Sequence, residues 1–110
     1  MALSRGYEIK FTRVNATSDG DNTVISAVAG KTIYVIGYAI NVNAAGVVTW
    51  QSTEASPTIV ASYEFVDGGG ATFAGNFECP AFKLPKGTGL ELSTAAGVDG
   101  LGHVTYILVD

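Results

Sequence analysis

Apolar and polar side chains alternate along most of this sequence, and glycine-rich turns separate the alternating segments. In residues 7–14, for example, every second side chain from Tyr7 to Phe11 is apolar and the side chains between them are polar. A period of two residues is that of a β-strand, whereas a helix requires apolar residues at spacings of three and four. No segment of the chain shows the helical spacing on a polar background. The chain is therefore predicted to be all-β.

Turns rich in Gly, Asn, Asp and Pro separate the predicted strands at fairly even intervals. Such spacing predicts an antiparallel β-sandwich or barrel, and we expect a β-sandwich of about eight strands in a single domain. Residues 1–20 are interpreted as an N-terminal arm with the first strand, which runs over residues 7–14, and residues 21–110 as the β-sandwich. The second strand is predicted over residues 22–28, and residues 75–89 are interpreted as an irregular connection. Spacing does not distinguish a jelly roll from an immunoglobulin-like topology, although the absence of a Cys-Trp-Cys pattern disfavours the latter.

The longest predicted strand, residues 31–42, is apolar on both faces. One face carries Ile33, Val35, Gly37 and Ala39, and the other carries Tyr34, Ile36, Tyr38, Ile40 and Val42. A strand that is apolar on both faces lies inside a sheet or is covered from both sides. Gly37 in the middle of this strand predicts a bulge or a close approach by another backbone.

The last predicted strand, residues 102–109, is also two-sided. Val104, Tyr106 and Leu108 are assigned to the core. The opposite face carries His103, Thr105, Ile107 and Val109, which a lone domain would expose. We expect a neighbouring subunit to cover this face, because large exposed apolar surfaces usually mark contacts with other chains. The residues expected at this interface are Tyr34, Tyr38, Trp50, His103, Ile107 and Val109.

Composition narrows the function classes. Hydrophobic residues make up 47% of the chain and charged residues 15%, against about 25% charged in typical soluble domains. The net charge is −4 and no run of Lys or Arg occurs, which disfavours binding to nucleic acid or to an anionic membrane surface. No apolar segment approaches the length of about 20 residues that spans a bilayer. Residues 1–14 lack the apolar core of a signal peptide, so we expect a protein that is used without secretion.

The sequence contains few groups suited to catalysis. His103 is the one histidine and Cys79 the one cysteine, so an internal disulfide is excluded and a zinc site would lack its usual three or four ligands. We therefore expect no catalytic residue, no metal and no cofactor. The aromatic side chains leave two interpretations open, because strand aromatics fill cores and interfaces but rings also stack on sugars. They are Tyr34, Tyr38, Trp50, Tyr63, Phe65, Phe73, Phe77 and Phe82.

Three segments carry a family resemblance: AVAGKTIYVIGY, LPKGTGLELST and GHVTY, at residues 27–38, 84–94 and 102–106. Their pattern resembles that of small virion proteins of tailed bacteriophages, over most of the chain after residue 20. The resemblance implies a capsid decoration (cement) protein, a β-sandwich of the jelly-roll type that forms a homotrimer on the capsid surface. It implies the major capsid protein as partner and the virion as location, after assembly in the bacterial cytoplasm. The alternative is a receptor- or glycan-binding module of a tail or fibre.

Overall fold

The computed structural model describes residues 7–75 and 79–110. These residues form two antiparallel β-sheets and no helix, which confirms the predicted all-β class and is consistent with a β-sandwich. Residues 1–6 of the predicted N-terminal arm lie outside the described part. The strands are β1 (Lys10–Ala16), β2 (Gly20–Ile25), β3 (Thr32–Val42), β4 (Gly46–Ser52), β5 (Ile59–Phe65), β6 (Gly70–Ala74), β7 (Phe82–Lys83), β8 (Leu90–Thr94) and β9 (Gly100–Val109).

The first sheet has the strand order β1-β9-β3-β6, with the short β7 also paired to β3, and the second sheet has the order β2-β8-β4-β5. Only two connections between the described strands, β4 to β5 and β6 to β7, stay within one sheet. Every other connection carries the chain from one sheet to the other. Most strand pairs therefore join segments that are distant in sequence.

The core lies between the two sheets and is built from the inward side chains of both. The first sheet contributes Val14, Ile33, Val35, Tyr38, Ile40, Val42 and Val104, and the second contributes Ile25, Val48, Trp50, Leu90 and Leu92. Burial of each large side chain of this kind stabilises a fold by about 1.5–3 kcal/mol. Tyr106 and Leu108 pack against this core, so the predicted inward face of the last strand is confirmed.

The alternation of β3 breaks at Ile36. Pairing with β9 shifts register between Val35 and Gly37, because the bulge inserts one extra residue. Val35 belongs to the core before the bulge, and Tyr38 and Ile40 belong to it after the bulge. The bulge expected at Gly37 is confirmed. The assignment of strictly alternate residues to one face along the whole strand is wrong, because an extra residue exchanges the two faces.

Some predicted bounds also differ from the structure. The first strand starts at Lys10 rather than at Tyr7, and the second ends at Ile25 rather than at residue 28. β7 lies within the stretch interpreted as irregular, residues 75–89. Its two residues form a strand because the edge of β3 offers unpaired backbone groups there, which no local pattern reveals.

The last strand, β9, lies inside the first sheet between β1 and β3. An inner strand is paired on both edges, which explains why residues 100–109 form a regular strand rather than a frayed segment. Beyond it, the Asp110 carboxylate forms an ion pair with the Lys31 ammonium. The hydrogen bond and the charge of Lys31 hold the pKa of Asp110 below its ordinary value.

We expect Gly102→Ala to destabilise the fold by about 3 kcal/mol or more, because β9 and β3 approach closely at this position. A Cβ on Gly102 would collide with the carbonyl oxygen of Ala39 and would lie 2.9 Å from the Cα of Ile40. Urea unfolding measures the loss. Gly97→Ala is the control, because Gly97 has a φ of +78° but no atom within 4 Å of an added Cβ, and should lose only about 1–2 kcal/mol. Equal losses would contradict the close approach.

Candidate interaction surface

Three of the six predicted interface residues are enclosed by their own chain. Trp50 and Ile107 have no exposed surface, and Tyr38 is 6% exposed. Trp50 and Tyr38 belong to the core, because β4 and the second half of β3 direct them into the space between the sheets. Ile107 pairs with Tyr34 on β3, on the opposite side of β9 from the core residue Val104. In the single chain these three side chains therefore have little or no surface to offer a partner.

The other three predicted interface residues keep some exposed surface. His103 is exposed, and Tyr34 and Val109 are half-buried. Strand alternation and pairing place all three on the outer face of the first sheet. The Lys83 ammonium lies 4.8 Å from the centre of the Tyr34 ring, a cation–π contact that adds a positive charge to this face.

An aromatic cluster joins the two sheets around Tyr38. Its ring centroid lies 5.6 Å from that of Trp50 and 6.0 Å from that of Phe82, and its hydroxyl pairs with the hydroxyl of Tyr63. Burial, reinforced by the Tyr63 hydrogen bond, raises the pKa of Tyr38 above its ordinary value. The indole N–H of Trp50 is buried and has no hydrogen-bond partner among the described residues. These rings fill the interior, so Trp50 and Tyr38 cannot serve as a sugar-stacking platform.

Tyr38→Phe should weaken the fold by about 1 kcal/mol at neutral pH through loss of the hydroxyl pair, and should make the fold less sensitive to alkali. In the unfolded chain a tyrosine ionises near pH 10, whereas the folded protein keeps Tyr38 protonated at higher pH. The folded state then holds the proton more tightly, so stability falls as pH rises above about 10. Urea unfolding between pH 7 and alkaline pH measures both slopes. Identical slopes in the wild type and the variant would contradict the burial of the Tyr38 hydroxyl.

The outer face of the first sheet has a groove of about 400 Å³. Pairing places Phe11, Thr105, Gly37 and Ala74 in one row across the sheet. The middle of the groove lacks large side chains because β3 contributes Gly37 and Ala39 there, which are the two smallest residue types. The result is an open apolar depression beside a large aromatic ring.

Phe11 forms the most exposed part of this groove. Its side chain is 73% exposed, and Ile9 and Phe73, which also line the groove, are exposed in part. Arg13 is directly opposite His103 in the β1–β9 pairing, and both side chains are exposed. The groove is thus an apolar surface with positive and titratable groups at its border.

Sequence patterns miss the residues that define this surface. The alternation groups Phe11 with Tyr7 and Ile9 on one face of the first strand, but it does not identify which face is directed at water. The informative residue is Val14, which lies on the opposite face of the strand from Phe11 because the two positions are three residues apart. Val14 is fully buried, and strand alternation then directs Phe11 outward.

The described residues contain no group of three His, Cys, Asp or Glu side chains that could hold a metal ion. Residues 7–75 and 79–110 also contain no helix with the length and apolarity needed to cross a membrane. A scan against protein-family models found no match, and searches of curated proteins and of solved structures found none either. The groove on the first sheet is therefore the feature of this protein that bears on its function.

Phe11→Ala should change the free energy of unfolding by less than about 0.5 kcal/mol, because the ring lies mostly in water. Val14→Ala, three residues along the same strand, should cost about 2 kcal/mol because Val14 is fully buried. Chemical denaturation of both variants tests the assignment of the two faces of β1. A larger loss for Phe11→Ala than for Val14→Ala would reverse the assignment.

Proposed function

We propose that this protein is a non-enzymatic structural component of a tailed-bacteriophage virion, a decoration protein that binds the outer capsid surface as a homotrimer and stabilises the head. Its partner is the major capsid protein, and its location is the capsid surface after assembly in the bacterial cytoplasm. The exposed apolar groove with Phe11 at its border carries this proposal. An exposed aromatic ring beside an apolar depression is costly in water and favours contact with another protein surface.

The strand pairing supports a jelly-roll assignment. β1 pairs with β9, β2 with β8, β3 with β6 and β4 with β5, all antiparallel. These pairs are nested in sequence, with β1–β9 outermost and β4–β5 innermost. This is the pairing of one long hairpin that is folded over into two facing sheets. Each facing sheet has four strands apart from the short β7. Jelly rolls built this way occur in viral capsid domains, which agrees with the family resemblance.

A binding role also fits what the site contains. The groove is lined mainly by apolar and small side chains, with His103 and two threonines as its polar groups. General acid–base chemistry requires a base within hydrogen-bond reach of the reacting group and a partner that tunes or orients it. Within the described residues no hydrogen bond or ion pair links His103 to a carboxylate. We therefore assign the groove to protein contact rather than to catalysis.

The stabilising effect follows from multivalent attachment. A trimer that contacts several capsid subunits makes its second and third contacts intramolecular, which raises the overall affinity without any new kind of contact. Because the trimer binds the assembled capsid and not its free subunits, binding shifts the equilibrium towards the assembled state. Few charges and short turns suit a rigid block of this kind.

A glycan-binding tail module is the second candidate. The rings of Phe11 and Phe73 both line the groove and are both exposed in part, and such rings stack on sugars. Sugar hydroxyls also require several hydrogen-bond partners, and the groove offers few. Specific retention on a glycan array, abolished by Phe11→Ala, would favour this candidate over the decoration protein.

We expect light scattering to give three times the 11.3 kDa chain mass at micromolar concentration. We also expect the protein to co-sediment with capsids of the phage that encodes it and to raise their thermal stability. Phe11→Ala should reduce sedimentation with capsids, and Val66→Ala, an exposed apolar residue that does not line the groove, should not. A monomer that fails to co-sediment with capsids would overturn the proposal.

A further inference from the structure

Charge is divided between the two sheets. The strands of the first sheet contain Lys10, Arg13 and Lys83 and no Asp or Glu. The strands of the second sheet contain Asp21, Glu64 and Glu91 and no Lys or Arg. Since the two sheets stack, their outer faces point away from each other and carry opposite charge. Among the strand residues with outward side chains, the first sheet therefore carries the basic charges of Arg13 and Lys83 and the second sheet the acidic charges of Asp21 and Glu64.

The basic side coincides with the apolar groove. Arg13 and its opposite residue His103 lie on the outer face of the first sheet, and Lys83 lies on the same face next to Tyr34. Within the described residues the ion pairs are Lys10 with Glu8 and Lys31 with Asp110. Arg13 takes part in neither pair, so its charge is available to a partner.

The outer face of the second sheet combines acidic side chains with an exposed apolar one. Glu64 is directly opposite Val47 in the β4–β5 pairing, and Val47 is 44% exposed. On the same face, the side-chain amide of Gln51 donates hydrogen bonds to Glu91 at 2.5 Å and to Asp21 at 3.3 Å. This amide holds two carboxylates together on one outer face. Glu91 is buried, so the face presents the carboxylates of Asp21 and Glu64 beside the exposed side chain of Val47.

We propose that the outer face of the first sheet of one copy binds the outer face of the second sheet of another copy, so that Arg13 and Lys83 meet carboxylates and Val47 packs beside Phe11 at the groove. This inference rests on the proposed self-assembly and assigns the groove to the contact between copies, so the loss of capsid binding expected for Phe11→Ala follows from a weaker assembly. Contact between two first-sheet faces would bring Arg13 and Lys83 of both copies together, and like charges at an interface repel each other and weaken the contact. Charge therefore favours a second copy in the opposite orientation.

The dimensions allow such a contact. The molecule measures 39 × 31 × 18 Å, and its broad faces exceed the area of about 800 Å² per partner in a standard interface. The contact is heterologous, since the two copies use different surfaces. Contact through directly opposed faces stacks the copies in an open series, and a ring of three closes only where the two contact surfaces of each copy are inclined to each other.

Reversal of charge on each face tests this contact. One variant combines Arg13→Glu with Lys83→Glu, and the other combines Asp21→Lys with Glu64→Lys; all four side chains are exposed. Each variant alone should associate at least about tenfold more weakly than the wild type, because both of its faces then carry the same sign of charge. A mixture of the two variants should regain association as pairs or alternating series, because each offers the face that the other lacks. A closed ring of three should not re-form, because two kinds of copy cannot alternate around an odd ring. Sedimentation velocity measures all three samples.

Controls separate this effect from misfolding and from net charge. Lys86→Glu reverses an exposed charge in the loop between β7 and β8 and should leave association unchanged. Far-UV circular dichroism should match the wild type in every variant. The single variants Arg13→Glu and Glu64→Lys, each with a smaller loss, keep the test decisive if a double variant fails to fold.

The outcomes distinguish the contact from the proposed function. A wild-type trimer that persists in both charge-reversed variants overturns this contact and leaves the trimeric decoration protein standing. Two dissociated variants that do not recover on mixing also overturn it, because the reversed faces of one variant would be complementary to those of the other. Loss of association in only one variant overturns it as well, because a contact between identical faces has that signature. A wild-type series longer than three copies, with recovery on mixing, supports the contact and overturns the trimer. A wild-type monomer that fails to bind capsids overturns both proposals.

Discussion

The antiparallel pairing of β3 with β9 is the interaction on which the rest of this structure depends. It runs from Thr32 opposite Val109 to Val42 opposite Gly100 and joins a strand in the first half of the chain to its last strand. All other strands of the first sheet pair with one of these two. Long-range pairing of this kind costs loop-closure entropy before it is rewarded by burial. Both strands are apolar on their two faces, and burial of these side chains offsets the entropy cost.

The bulge in this pair decides which side chains form the core. Before Ile36, β3 directs Ile33 and Val35 inward, and after it the strand directs Tyr38 inward, against Trp50 of the second sheet. The aromatic cluster around Tyr38 therefore exists because the strand contains one extra residue. The buried indole N–H of Trp50 has no partner in the described part of the chain, a cost of about 1–3 kcal/mol that the surrounding apolar contacts must exceed.

Strand pairing also decides which side chains lie on the outer face of each sheet, and the two outer faces differ in composition. Small residues at Gly37 and Ala39 hollow the first sheet beside Phe11, and the strands on this side carry only basic charges. The second sheet exposes carboxylates instead. A fold that keeps its charges on separate faces is suited to contact between faces, which connects the proposed assembly of several copies with the proposed attachment to a capsid.

Local pattern in the sequence was sufficient for the all-β class, the strong strands and the inward face of β9, because period-two alternation reports directly which side of a strand meets water. It also located the bulge at Gly37, since glycine marks irregular strand geometry. It was insufficient for the interface: Trp50, Tyr38 and Ile107 are enclosed by their own chain, whereas the pattern does not single out the exposed Phe11. Only the tertiary structure decided these points, because exposure depends on which strands lie beside and across from a residue, and that is set by pairing between segments distant in the chain.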